Sequence, residues 1–145
     1  KSGEEIKDGM DISFLCIDKQ REKITWSGAN NHLCYIRKNA NAVADLVEVK
    51  GDKQPIGNSD HRKPFTTHAI DFEKGMICYL LTDGYADQFG GAKGKKFKYK
   101  QLKEVLLANC HLDLPKQKEV LNIHFQNWKG NLDQVDDVTI IGIKL

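Results

Sequence analysis

Two aspartates at the ends of apolar runs carry the strongest chemical signal in this chain. An apolar run over 76–81 stops abruptly at Thr82-Asp83-Gly84. Glycines on both sides, Gly75 and Gly84, frame it as a buried strand. Near the other end of the chain, Gln134-Val135-Asp136-Asp137 leads into a second apolar run over 138–143. If these two strands are antiparallel neighbours, one ends where the other begins, and Asp83 and Asp136 meet at one sheet edge. Two converging carboxylates require a cation or a shared proton. Hard oxygen donors at a sheet rim suit Mg²⁺ or Mn²⁺, which keep several waters and accept few protein ligands. Such an ion polarises a phosphoryl oxygen and makes hydroxide accessible near neutral pH. Spacing alone also allows a plainer reading. Asp83 would cap a turn at 86–89 and Asp136 would sit in a polar turn, since aspartate before glycine is common in turns.

Composition narrows the field. A chain of 145 residues is one domain with room for a core. Its 40% hydrophobic and 29% charged content is ordinary for a soluble globular protein. A net charge of +2 is too small to argue for nucleic acid or an acidic membrane surface. No apolar run approaches the roughly 20 residues that span a bilayer, and no signal peptide is apparent. Cys16, Cys34, Cys78 and Cys110 form no CxxC pair. The first three lie in apolar strand-like runs and read as buried thiols in a reducing, cytoplasmic setting. His32, His61, His68, His111 and His124 show no zinc spacing. The chain opens Lys1-Ser2-Gly3-Glu4-Glu5 and its first methionine is Met10, which reads as a piece of a longer polypeptide.

Strands must position the two aspartates, and the pattern supplies them. Apolar runs at 12–17 and 24–27, joined by a charged turn, predict a β-hairpin. After Gly28-Ala29-Asn30-Asn31 come a strand at 32–37 and an alternating, half-exposed strand at 45–49, continuing an antiparallel meander. Gly51 to Asn58 reads as loop, and 65–70 as a further strand. Beyond Asp83, 86–89 predicts a helical turn and 90–96 a loop rich in glycine and lysine. Leu102, Val105, Leu106 and Cys110 recur at helical spacing, predicting a helix over 99–109. Pro115 suits the first turn of a second helix, with Val120, Leu121, His124, Phe125 and Trp128 as its apolar stripe and Gly130 at its end. Trp26 and Trp128 read as core anchors. The layout is α+β, with helices covering antiparallel sheet. The central and closing strands do not alternate, so both faces of each are expected to be covered. Lys93, Lys95, Lys96, Lys98 and Lys100 form a basic patch that could attract a phosphorylated substrate or be a plain solvated loop.

Leu81-Thr82-Asp83-Gly84 together with Val135-Asp136-Asp137-Val138-Thr139 resembles the two C-terminal metal motifs of PPM-type (protein phosphatase 2C-like) serine/threonine phosphatases. The bacterial branch related to the sporulation phosphatase SpoIIE is the nearer likeness. Ser27-Gly28-Ala29-Asn30-Asn31, Lys53-Gln54-Pro55-Ile56-Gly57 and Asp87-Gln88-Phe89-Gly90-Gly91 resemble the same branch, in the same order, so the resemblance covers essentially the whole chain. It implies that residues 1–145 are the C-terminal part of such a domain, a partial β-sandwich of α+β class. It implies that Asp83 and Asp136 ligate metal, with Asp137, Gly84, Asn30, Asn31 and Asp87 in supporting positions. For Asp87, capping the next turn is an equal alternative. The resemblance further implies two Mg²⁺ or Mn²⁺ ions in the full domain and no catalytic side chain beyond the ligands. The activity implied is hydrolysis of phosphoserine or phosphothreonine on a signalling protein by metal-bound water, with anti-sigma-factor antagonists among the substrates.

One part of the family pattern is missing. Its N-terminal half carries an aspartate that bridges the two metals, followed by a glycine whose carbonyl binds one of them. No segment here matches, and Asp8-Gly9 lies too close to the first long strand to replace it. The piece alone is therefore expected to bind metal weakly or not at all and to be inactive or nearly so, within an active parent. Its truncated face is expected to drive self-association. No nucleic acid and no direct membrane contact are expected of it, though sensor or membrane segments would have room upstream. The alternative is a non-catalytic, phosphatase-like binding module of a bacterial signalling protein. The intact Asp83 and Asp136 favour the enzyme.

Overall fold

Alternation of apolar and polar residues marks the half-exposed strands, and its absence marks the strands buried along both faces. The computed structural model describes residues 8–57 and 62–145; the opening Lys1-Ser2-Gly3-Glu4-Glu5, Asn58 and His61 lie outside the described residues. In chain order the strands are β1 (Gly9–Met10), β2 (Ile12–Asp18), β3 (Lys23–Ala29), β4 (Leu33–Lys38), β5 (Ala44–Val49), β6 (Ile56–Gly57), β7 (His68–Asp71) and β8 (Ile77–Leu81). Helix α1 (Gly84–Asp87), β9 (Phe89–Gly90), β10 (Lys95–Lys96), α2 (Lys98–Ala108), α3 (Leu114–Lys129) and β11 (Ile140–Lys144) complete the chain. They fall into two compact units, Lys1–Leu33 with Val49–Phe72 and Cys34–Glu48 with Glu73–Leu145. No helix among the described residues is long and apolar enough to cross a membrane.

The first unit is built on the expected hairpin. β2 and β3 pair antiparallel from Ile12↔Ala29 to Asp18↔Lys23, and β7 joins the other side of β3. As the central strand, β3 buries Ile24 and Trp26, and the Trp26 Nε1–H donates to Ser13 Oγ at 2.8 Å. The short strands β1 and β6 pair where only loop was expected. The strand expected at 65–70 begins later, at His68. Thr66 is held otherwise: its N–H and hydroxyl both donate to the Asp52 carboxylate, at 2.8 and 3.0 Å. Those two bonds hold the Asp52 carboxyl below its usual range. β2 is an edge strand, and its outward face leaves Phe14 and Cys16 exposed. Cys16 is thus not the buried thiol its apolar run suggests.

The second unit holds a sheet of order β11-β8-β4-β5. Consecutive β3 and β4 therefore belong to different sheets, and the expected single meander is divided. β8 is interior, with Ile77, Cys78, Tyr79 and Leu81 buried, whereas β11 lies at the edge and Ile141 is 50% exposed. Of these two strands, only β8 is covered on both faces. Helix α2 contributes Leu102 and Leu106 to the core, and α3 contributes Phe125. Phe97 stacks edge-on against both Tyr85 and Trp128, with ring centroids 5.2 and 5.3 Å apart. His124 is exposed at the margin of the α3 stripe. Asp113 caps α3 by accepting from the Lys116 N–H at 3.0 Å, with Pro115 in the first turn. Two buried polar contacts fix α3 against its neighbours. The Tyr79 hydroxyl donates to Gln117 Oε1 at 2.6 Å, and the Tyr85 hydroxyl donates to the Leu121 carbonyl at 2.7 Å.

Burial pushes the thiols of Cys34 and Cys78 up to about 12 and about 11, so both stay protonated well above neutral pH. A maleimide reagent at pH 8 should modify Cys16 of the native chain and leave Cys34 and Cys78 untouched until denaturant is added. Mass mapping of the labelled peptides reads this directly. Rapid native labelling of Cys78 would contradict the interior place of β8.

Candidate functional site

The antiparallel register of β8 and β11 runs from Lys144↔Ile77 to Ile140↔Leu81. The Thr82 N–H extends it by donating to the Thr139 carbonyl at 3.1 Å, and the Thr139 N–H donates to Thr82 Oγ1 at 3.0 Å. The next residue on one side is Asp83. On the other, Val138 and then the Asp136-Asp137 pair precede Thr139. Asp83 and Asp136 therefore lie at the same end of the same sheet, as the sequence pattern requires. All three aspartates are exposed there.

Close backbone approach explains Gly84. A Cβ at that position would lie 2.2 Å from the Asp137 carbonyl oxygen, so only glycine lets the two segments come together. Asp83 occupies the N-cap position of α1, but its side chain makes no capping hydrogen bond. The turn-capping alternative for Asp83 thus lacks its defining contact. Asp136 Oδ1 accepts from the Asp137 N–H at 2.7 Å, and the Gln134 side chain donates to the Asp136 carbonyl at 2.9 Å. Asp87 ends α1 and does not cap the following segment; it accepts from Lys96 Nζ at 2.9 Å. On α2, burial and then the charges of Asp83 and Asp87 push the Tyr99 hydroxyl up to about 12. Its first turn accordingly lies within the field of these carboxylates.

Gln88 was visible in the sequence only as part of a motif, and the structure gives it a role. It is completely buried, and its amide is used in both directions. Nε2 donates to the carbonyls of Asp133 at 2.9 Å and Phe89 at 3.0 Å, while Oε1 accepts from the Val135 N–H at 3.3 Å. Its own carbonyl accepts from Trp128 Nε1 at 3.0 Å and from the Phe97 N–H at 2.9 Å. One side chain thereby fastens the segment that delivers Asp136 to the segment that follows Asp83. A glutamine set among Tyr85, Ala86 and Phe89 was the available signal, because a polar group in an apolar stretch is informative once it is buried.

Asn30 and Asn31 belong to the first unit, and their contacts there shape the backbone. Asn30 has φ 57°, its N–H donates to the Asp52 carbonyl at 2.8 Å, and its side chain donates to Asp11 Oδ1 at 2.7 Å. The Asn31 carbonyl lies so close to Gly28 and Gly51 that a Cβ on either would fall 2.5 or 2.2 Å from it. This accounts for the glycine within Ser27-Gly28-Ala29-Asn30-Asn31. The His32 imidazole accepts from the Gly51 N–H at 3.1 Å in the same arrangement.

Carboxylate oxygens at the end of β8 and β11 are the donor type that Mg²⁺ or Mn²⁺ takes. Among the described residues, no group of three or more His, Cys, Asp or Glu side chains is gathered to hold a metal ion. The donor chemistry fits such an ion, and the number of donors is short of a complete set.

The α+β fold and the paired aspartate motifs define a phosphatase-domain class of PP2C type. The chain belongs to the SpoIIE family (stage II sporulation protein E), whose model matches residues 4–145. It is similar to the SiaA-PP2C domain of Pseudomonas aeruginosa, with a TM-score of 0.82 and 25% identity over 93% of this chain and 51% of that one. It also shares the fold of the phosphatase domain of the cell fate determinant SpoIIE from Bacillus subtilis, with a TM-score of 0.61 and 10% identity over 92% of this chain and 57% of that one. The chain thus spans about half the length of the solved structures it matches. No curated protein matches it.

Replacing Gln88 with methionine keeps the length and shape of its side chain and removes the partners of the Asp133 carbonyl and the Val135 N–H. A hydrogen bond of this kind contributes about 0.5–1.5 kcal/mol, so urea unfolding should show a loss of about 1–3 kcal/mol. Amide exchange at Val135 should accelerate more than at Ile77 in the interior strand. Unchanged exchange at Val135 would deny Gln88 its fastening role.

Proposed function

We propose that this chain is the C-terminal part of a SpoIIE-like phosphatase domain in which Asp83 and Asp136 ligate a divalent metal. The observation that carries the reading is the pairing of β8 with β11, which brings the two aspartates to one sheet end in a chain of this family. Gly84 and Asp137 support them by close backbone approach, and Gln88 holds the incoming segment. For Asn30, Asn31 and Asp87 we propose supporting roles only, through the backbone around Asp52 and the pair with Lys96.

Bound Mg²⁺ or Mn²⁺ would supply Lewis-acid activation of water and of a phosphoryl oxygen. The chain's own residues would orient that ion and leave the sheet end open for a phosphorylated side chain. The substrate proposed is a phosphoserine or phosphothreonine protein in a bacterial signalling system, such as an anti-sigma-factor antagonist. With only two of the ligands, this piece alone is expected to be inactive or very weak, and the remaining ligands belong to the upstream part of the domain.

Manganese-dependent hydrolysis of an aryl phosphate tests this in three proteins: the chain, the chain extended upstream to the full domain, and that extension carrying Asp136→Asn. Activity is expected only in the extended form, falling about 100-fold or more in Asp136→Asn, as loss of a metal ligand does. An extended form that folds, binds metal and does not hydrolyse phosphate would instead favour a phosphatase-like binding module.

Self-association of the isolated chain belongs to the same reading. The edge strands β2 and β11 expose Phe14 and Ile141, and open edges with apolar side chains invite pairing. Light scattering should give a mass that rises with concentration, and the extended domain should suppress the rise. A monomer mass at all concentrations would remove this part of the proposal.

A further inference from the structure

Residues 90–103 contain Lys93, Lys95, Lys96, Lys98, Lys100 and Lys103 and no acidic residue. Taking these six from the chain's net charge of +2 leaves −4 on everything else. Two of the six have carboxylate partners. Lys96 pairs with Asp87 at 2.9 Å, and Lys103 pairs with Glu48. Lys93, Lys95, Lys98 and Lys100 are exposed and form no ion pair among the described residues.

Local physics disfavours this arrangement. Lys98 has φ 74°, in the left-handed region that glycine adopts without strain. Helix α2 opens with Lys98 and Lys100 and has no acidic residue in its first turn, although helix N-termini favour negative charge. Local choices that oppose their own element concentrate at functional surfaces. The location fits that interpretation. The Lys96–Asp87 pair ties β10 to α1, which starts directly after Asp83, and Tyr99 between Lys98 and Lys100 lies in the field of Asp83. Exposed Asp83, Asp136 and Asp137 repel an approaching phosphate, and a cationic shelf beside them offsets that repulsion at long range.

We propose that Lys93, Lys95, Lys98 and Lys100 form a docking surface for an acidic segment next to the phosphorylated residue of a protein substrate. The proposal rests on the phosphatase reading and adds to it the substrate's chemistry: carboxylates flanking the phosphoresidue. A position beside the aspartates suits a peptide passing them better than a flat anionic membrane.

The test uses the full-length protein and a variant carrying Lys93→Gln, Lys95→Gln, Lys98→Gly and Lys100→Gln. The probes are fluorescent peptides with a non-hydrolysable phosphonate in place of phosphoserine, flanked by aspartates or by serines, and phosphatidylserine vesicles. The variant should bind the aspartate-flanked peptide at least 10-fold more weakly and with a flatter salt dependence. Its affinity for the serine-flanked peptide and its aryl phosphate hydrolysis should not change, and its Tm should be equal or higher. Equal affinity of both proteins for the acidic peptide would overturn the proposal. So would a lowered Tm accompanying the loss, or tighter binding of the wild type to vesicles than to peptide. Lysine-dependent peptide binding without aryl phosphate hydrolysis in the wild type would sink the phosphatase reading and leave the docking surface standing.

Discussion

The pairing of β8 with β11 is the contact on which the second unit depends. It joins segments separated by both long helices, so the chain bears the entropy of closing a long loop before the pairing forms. The helices offset that cost by covering β8, whose side chains Ile77, Tyr79 and Leu81 share a core with Leu102, Leu106 and Phe125. The same pairing places the two aspartates. A strand that ends in Asp83 and a strand that begins after Asp136 meet at one edge only if they run antiparallel and in this register.

A sheet end is normally a frayed place, and here two devices hold it. Gly84 admits the Asp137 carbonyl where any side chain would exclude it. Gln88, itself completely buried, supplies donor and acceptor to the backbone of Phe89, Asp133 and Val135. Among the described residues, no buried side-chain nitrogen or oxygen lacks a partner. A fully satisfied amide of this kind resists displacement, because moving it strands several groups together. Precision at the exposed aspartates thus comes from a residue that is itself inaccessible.

Charge is unevenly distributed around the same end of the sheet. Carboxylates lie at the strand termini, and lysines crowd the hairpin of β9 and β10 and the start of α2. The Asp87–Lys96 pair marks the seam between the two. Exposed on both sides, it adds little stability, and its consequence is positional: it keeps the basic hairpin next to the segment that carries Asp83.

Much of this was legible in the sequence, because it depends on short-range pattern. The β2–β3 hairpin, helices α2 and α3, Pro115 in a first helical turn and the apolar strands that precede Asp83 and follow Asp136 all follow from periodicity and turn chemistry within a few residues. What the sequence left open depends on distant neighbours. An apolar run such as 12–17 looks the same in a central or an edge strand, and only the sheet order exposes Cys16 and Phe14. β11 lost one covered face for the same reason. Consecutive β3 and β4 read as one meander, but their assignment to different sheets is a tertiary choice. Gln88 is an unremarkable letter until Asp133 and Val135, far along the chain, arrive beside it. Residue pattern alone was enough to put carboxylates next to strand ends, since residue type and strand period are local properties. Which ends meet, and what holds them, follows from the fold, because cross-strand register and buried hydrogen bonds exist only between segments already brought together.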